Sequence, residues 1–228
     1  MPAQDQLRFR AAERGDAAAI AALHAASWRR HYRGAFSDAF LDGEVAGFLL
    51  DTWTTRLAAP GPLARTILAE VRRSGDGDDD GDRVLVGMAH TVLDDDPTWG
   101  ALLDNLHVAH GLKRRGAGTR LMSLTARAVI AARPGSGLYL WVLEQNDDAR
   151  AFYEARGGTF VESRDVRPPA DDPARLNGRP KGMRYAWPDP ARLLKTDSGS
   201  EALQPAGARL PARPWRQARS YGTVNDHE

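Results

Sequence analysis

The residues with the clearest chemical potential are Lys113-Arg114-Arg115-Gly116-Ala117-Gly118. They fall between an apolar run at 102–108 and an amphipathic run at 119–132. Three consecutive cations are unfavourable at a helix start, which already carries roughly half a positive charge. An anion resolves the conflict. Gly116 and Gly118 let backbone approach a ligand closely and permit the dihedrals that turn successive N–H groups toward one point. Phosphate is the natural occupant of such a loop at a helix N-terminus. A solvated, arginine-rich helix start is the plainer alternative, but the strand before and the helix after supply the context such a motif requires.

The elements that must position this loop follow from hydrophobic period. Residues 7–11 predict a short first strand, and Asp16 is a candidate cap for a helix over 17–32. A second helix is predicted over 38–57, ended by Pro60-Gly61-Pro62. Alternation predicts strands at 65–71 and 83–92, joined by the polar hairpin loop 74–82. Asp94-Asp95-Asp96-Pro97 reads as a turn into the strand at 102–108. Residues 137–143 (GLYLWVL) form a nearly continuous apolar run, as in a strand covered on both faces. Asn146 or Asp147 caps a short helix carrying Ala149, Phe152, Tyr153 and Arg156, which Gly157-Gly158 ends. Residues 159–166 and 182–187 form a closing strand pair around a loop with Pro168, Pro169 and Pro180. From residue 188 the period dissolves. The reading is one domain over 1–187 and a flexible tail over 188–228.

Composition removes several function classes. The formal net charge is +1, so there is no global field of a non-specific nucleic-acid binder. The absence of cysteine removes disulfides, thiolate metal sites and a cysteine nucleophile. The histidines lack metal-ligand spacing, and the aspartates of 74–82 lack the later glutamate of a calcium loop, so no metal is expected. A polar N-terminus and no apolar run near 18 residues predict neither a signal peptide nor a membrane span, hence a cytoplasmic protein.

Two segments, LDNLHVAHGLKRRGAGTRLM and VLEQNDDARAFYEARGGTF, resemble in order and spacing the GCN5-related N-acetyltransferases (GNAT). The resemblance covers roughly residues 6 to 187. It implies an α/β fold with a mixed, mostly antiparallel central sheet flanked by helices, its fourth and fifth strands parallel and splayed. It also implies acetyl-CoA as acetyl donor and direct transfer to a primary amine of a small molecule or peptide. The pyrophosphate of CoA would rest on backbone N–H groups of Arg114 to Thr119, including Gly116, Ala117 and Gly118, with charge from Lys113, Arg114 and Arg115. Pantetheine would lie along Leu106, His107 and Val108 like an added strand, with Asn146 nearby. Tyr153 is the implied general acid for the departing thiolate, and packing is its plainer role.

A base or water relay must take the amine's proton, because a lysine-like amine has a pKa of about 10.4. Asp104 is the nearest carboxylate early in the fourth strand, with His90, His107 and Glu144 as alternatives. Trp28, Tyr32 and Phe36 are the candidate acceptor pocket, and Asp38, Asp42 and Glu44 would attract a cationic amine. The competing reading is a non-catalytic acyl-CoA-binding regulatory module of the same fold. Nucleic acid and membrane are not expected partners, and a homodimer stays open.

Overall fold

Runs of alternating or continuous apolar residues must find a sheet to bury them. The computed structural model, which describes residues 7–72, 83–112 and 116–194, gathers seven such strands into one sheet. They are β1 (Arg8–Ala11), β2 (Ala64–Arg72), β3 (Arg83–Asp96), β4 (Gly100–Val108), β5 (Leu138–Leu143), β6 (Thr159–Asp165) and β7 (Lys181–Trp187). Their spatial order is β1-β2-β3-β4-β5-β7-β6. Every neighbouring pair is antiparallel except β4 and β5, which run parallel. Helices α1 (Ala17–His31) and α2 (Val45–Ala58) pack one face with Leu68, Met88 and Leu143. Helices α3 (Ala117–Ala132) and α4 (Asp147–Glu154) pack the other with Leu103, Leu140 and Val142.

The β4–β5 pairing decides the rest of the architecture. It consists of only Ala101↔Leu138 and Leu102↔Tyr139, after which the strands part. Each strand is held on its outer side, β4 by β3 and β5 along its whole length by β7, so neither is free to close the gap. The point of first contact is set by Gly100, which has φ +85°. A Cβ there would sit 2.4 Å from the Gly137 carbonyl oxygen, so only glycine admits this approach.

A bulge lies farther along β4. His90 pairs with Asn105 and Thr91 with Leu103, leaving Asp104 as the extra residue. The bulge turns two successive side chains the same way. Arg56 of α2 accordingly meets both, at 3.0 Å from Asp104 Oδ2 and 3.1 Å from Asn105 Oδ1. Beyond it Leu106 and Val108 join Leu103 in the core beneath α3 and α4.

Some local expectations are corrected. Asp16 occupies the cap position of α1, but its side chain makes no cap bond; it accepts two 2.7 Å bonds from Arg10, a stronger charged partner. The second helical segment opens with a wide π-type turn, Phe40–Glu44, before α2. Asp94, Asp95 and Asp96 extend β3 rather than forming the turn. Past the expected boundary at 187, a 3-10 turn at Pro190–Leu194 buries Leu193, 1% exposed, in the core beneath α3. The acidic hairpin loop and residues 195–228 lie outside the described residues.

Gly100→Ala should lower stability by at least ~1–2 kcal/mol, the cost of a left-handed alanine before any clash is counted. Gly15→Ala, which meets nothing within 4 Å, should stay within about 0.5 kcal/mol of wild type. Thermal melts of the two variants check the difference.

Candidate active site

Where β4 and β5 part, a cavity of about 1030 Å³ opens through the sheet. Its walls are β4 from Leu103 to Val108, β5 at Leu140 to Val142, the start of α3, one face of α4 and the end of α1. The backbone of β4 is aimed into it. Ala109 N–H bonds across to the Val86 carbonyl at 2.7 Å, and Val108 faces Gly87 in the same register. Antiparallel bonding alternates, so the N–H and C=O of Leu106 and Val108 point away from β3 and into the gap.

At one end of the cavity lie Gly116, Gly118 and Thr119. Gly116 has φ +86°, a left-handed conformation, and its carbonyl accepts the first helical bond, from Arg120 N–H at 2.9 Å. The N–H groups of Ala117, Gly118 and Thr119 therefore precede the helical ladder and have no partner within α3. Gly118 also sits against α4, where an added Cβ would lie 3.2 Å from the Phe152 ring. Lys113, Arg114 and Arg115 lie outside the described residues. A cation the sequence reading did not select lies at this end: Arg156 stacks 3.5 Å over Phe152 and donates to Thr119 Oγ1. Its signal was the i, i+4 spacing of Phe152 and Arg156 on one helix face.

Asn146 caps α4, accepting from Ala149 N–H at 3.3 Å, and lines the cavity. Tyr153 lies in the same wall, 8% exposed, with edge contacts to Phe152 and Trp187. Burial, with a smaller contribution from Tyr32, raises its phenol pKa far above the ordinary range, so it keeps its proton at neutral pH.

The residues expected to form an acceptor pocket are placed differently from one another. Tyr32 lines the cavity, its pKa pushed up to about 12 by burial and then by the charge of Asp104. Trp28 and Phe36 do not line it; they are 1% and 2% exposed in the core under α1 and α2. Large rings bury more apolar area in that core than on a pocket wall. Asp38 and Asp42 pair with Arg33, and Glu44 with Arg175, so each is held in an ion pair. The residue pair Ser37 N–H to Arg175 O at 2.9 Å, with Asn177 N–H to Ala35 O at 2.8 Å, ties the β6–β7 connection over this corner.

Asp104 borders the cavity through its backbone position, yet its side chain is 0% exposed and ion-paired to Arg56. Around it lies a buried polar cluster. Trp53 Nε1–H donates to His24 Nδ1 at 3.1 Å, which makes His24 neutral with its proton on Nε2. His90 bonds Thr66 Oγ1 at 2.8 Å, and His107 bonds Ser27 Oγ at 2.9 Å. Burial, above all, lowers the pKa of His90 to about 3 and of His107 to about 4, Asp104 opposing the shift in both. Neither His90 nor Glu144 lines the cavity; His107 does. Among the described residues no group of three or more His, Asp or Glu could hold a metal, and no helix is long and apolar enough to cross a membrane.

A mixed sheet with splayed parallel strands, a glycine-led helix start at the splay and a tyrosine lining the same cavity define an acetyltransferase-type fold. The chain belongs to the acetyltransferase (GNAT) family, whose signature matches residues 4–158. Among solved structures it is similar to PaiA N-acetyltransferase from Thermoplasma acidophilum in complex with coenzyme A, at 14% identity and TM-score 0.56 over 80% of this chain and 99% of that one. It is also similar to spermidine/spermine N-acetyltransferase SpeG from Vibrio cholerae, at 18% identity and TM-score 0.54 over 85% and 100%. Arabidopsis thaliana NAA60 in complex with acetyl-CoA gives 16% identity and TM-score 0.55 over 80% and 98%. No curated protein matches.

The depressed histidines make stability depend on pH. Between about 6.5, the unfolded value, and about 4 and 3, the folded values of His107 and His90, the unfolded chain binds protons that the fold excludes. Unfolding free energy therefore rises with pH across that window, is complete above about 6.5 and falls as pH drops below it. Urea melts at pH 7, 6 and 5 should show a loss of up to ~1.4 kcal/mol per pH unit per histidine.

Proposed function

We propose that this protein transfers an acetyl group from acetyl-CoA to a primary amine of a small molecule or peptide, directly and within a ternary complex. The observation that carries this reading is the gap between β4 and β5. It offers an extended backbone edge, a helix N-terminus and a buried phenol along one cavity. The pyrophosphate fits the open N–H groups of Ala117 to Thr119, with Arg156 beside them and Lys113 to Arg115 adding charge. The pantetheine amides fit the gap-facing backbone of Leu106 and Val108, as an added strand would, with His107 and Asn146 in the same walls. The Val108 N–H is then the donor for the thioester oxygen, a role worth about 2.7–4 kcal/mol in comparable sites.

Tyr153 supplies the proton for the leaving thiolate. Its raised pKa keeps the phenol protonated, and so available as a donor, at neutral pH. Tyr32 lines the acceptor side. The acids at 38, 42 and 44 are already paired, so selection of the amine rests on the cavity walls rather than on those charges.

A second reading, an acyl-CoA-binding module without turnover, draws support from the buried pairing of Asp104, which leaves no open carboxylate on β4. Incubation with acetyl-CoA and an amine panel including spermidine and a peptide with a free N-terminus separates the two. Free CoA with a product 42 mass units heavier, about one acetyl group, supports transfer; tight acetyl-CoA binding without release supports the module.

Two variants test the assigned roles. Tyr153→Phe should lower kcat by about 10²–10⁴-fold with little change in acetyl-CoA affinity. Arg156→Gln should weaken acetyl-CoA binding by roughly tenfold or more, as loss of a charged hydrogen bond does, and flatten its salt dependence. Calorimetry at two ionic strengths checks the second.

A further inference from the structure

A base of some kind must take a proton from the amine, and the carboxylate on β4 is sealed behind Arg56. The wall of the cavity offers one other route. Ser27 of α1 lines the cavity, and its Oγ lies 2.9 Å from Nδ1 of His107. The other ring nitrogen of His107, Nε2, is buried and has no hydrogen-bond partner among the described residues. Any proton that reaches or leaves the His107 ring from the cavity must therefore use Nδ1, and Ser27 stands on that path.

We propose that Ser27 and His107 form the relay that removes the acceptor's proton, an inference that rests on the acetyltransferase reading. In the step it serves, the neutral amine's nitrogen bonds to the thioester carbonyl carbon. The nitrogen becomes acidic as that C–N bond forms, and one N–H bond breaks. Its proton passes to Ser27 Oγ while the hydroxyl's own proton passes to His107 Nδ1, giving an imidazolium. The C–S bond breaks with its electron pair on sulfur, which takes the Tyr153 proton. The imidazolium proton returns through Ser27 to the cavity, and the tyrosinate is reprotonated, so the protein ends unchanged.

The surroundings of His107 suit a transient rather than a standing charge. Asp104, from its own strand, favours the imidazolium, while burial and His31 of α1 disfavour it. His24, also on α1, lies with its ring centre 4.3 Å away and is neutral by its bond from Trp53. Arg56 of α2 faces Asp104 and tempers its charge, and His90 of β3 lies behind the same pair. A base this weak cannot strip a free alkylammonium of pKa about 10.4, which confines it to the bond-forming step. Ser27 is the group that meets the amine, and His107 acts through it.

The relay requires a hydroxyl at position 27 and an unprotonated Nδ1 at position 107. With an amine that the wild-type protein acetylates, Ser27→Ala should lower kcat about 10–100-fold, at or below the usual range for a general base. The acceptor KM and the acetyl-CoA Kd should not change. Ser27→Thr, which keeps the hydroxyl, should restore kcat to within a few-fold, and His107→Gln should lower kcat about as far as Ser27→Ala does. Independently of any acceptor, a long-range ¹H–¹⁵N spectrum at pH 7 should find His107 neutral with its proton on Nε2. A Ser27→Ala protein that turns over at the wild-type rate, a Ser27→Thr protein as slow as the alanine variant, or a proton found on Nδ1 would each overturn the relay alone. Wild-type protein that binds acetyl-CoA but releases no CoA with any amine would overturn the transferase reading and the relay with it.

Discussion

Two residue pairs, Ala101 with Leu138 and Leu102 with Tyr139, are all that join β4 to β5, and the site depends on that brevity. A longer ladder would satisfy the β4 backbone internally and leave nothing to bind an extended ligand. A sheet cut without other support would expose an edge and slip. Here β3 and β7 hold the two strands from outside, so the gap is a fixed slot with polar backbone on one rim. The left-handed Gly100 starts the pairing, and the bulge at Asp104 re-aims the residues beyond it. Position along β4 then determines role. Side chains on both sides of the bulge reach the core, and beyond it the backbone of Leu106 and Val108 faces the cavity.

The same bulge explains the polar cluster behind the slot. Asp104 and Asn105 reach one arginine because the extra residue turns both toward α2. Burying such a pair is costly unless its remaining polar atoms are met, and removing one partner typically costs about 3–5 kcal/mol. The neighbouring histidines respond by staying neutral. Their neutrality lets three imidazoles, an arginine and a carboxylate share a small volume with Trp28 and Trp53. Electrostatics here works through which groups are kept uncharged as much as through which are charged.

In the α1–α2 connection the acids are held in ion pairs with two arginines. Arg33 and Arg175 occupy the carboxylates of the α1–α2 connection, and Arg175 lies over the Phe40 and Phe48 rings at 4.9 and 5.2 Å. These contacts fasten the β6–β7 connection to the helical layer. A corner rich in acidic residues along the chain is therefore an ion-paired corner in space.

What the chain determined by itself is whatever a local pattern can encode. The strand and helix periods, the left-handed glycine that starts α3 and a cap for α4 at Asn146 or Asp147 were legible, because each depends on residues within a few positions of one another. Tertiary structure decided what distance along the chain conceals. The register that makes Asp104 the bulge residue, the capture of Asp104 by Arg56, and the approach of Arg156 to Thr119 involve residues tens of positions apart. So does the bond between Ser27 and His107, 80 residues apart. A period says which face a side chain takes; a bulge or a distant partner can change what it meets there. Trp28 and Phe36 went to the core and Tyr32 to the cavity for that reason, since three rings at the end of α1 and just beyond it were sorted only by the elements that packed against them.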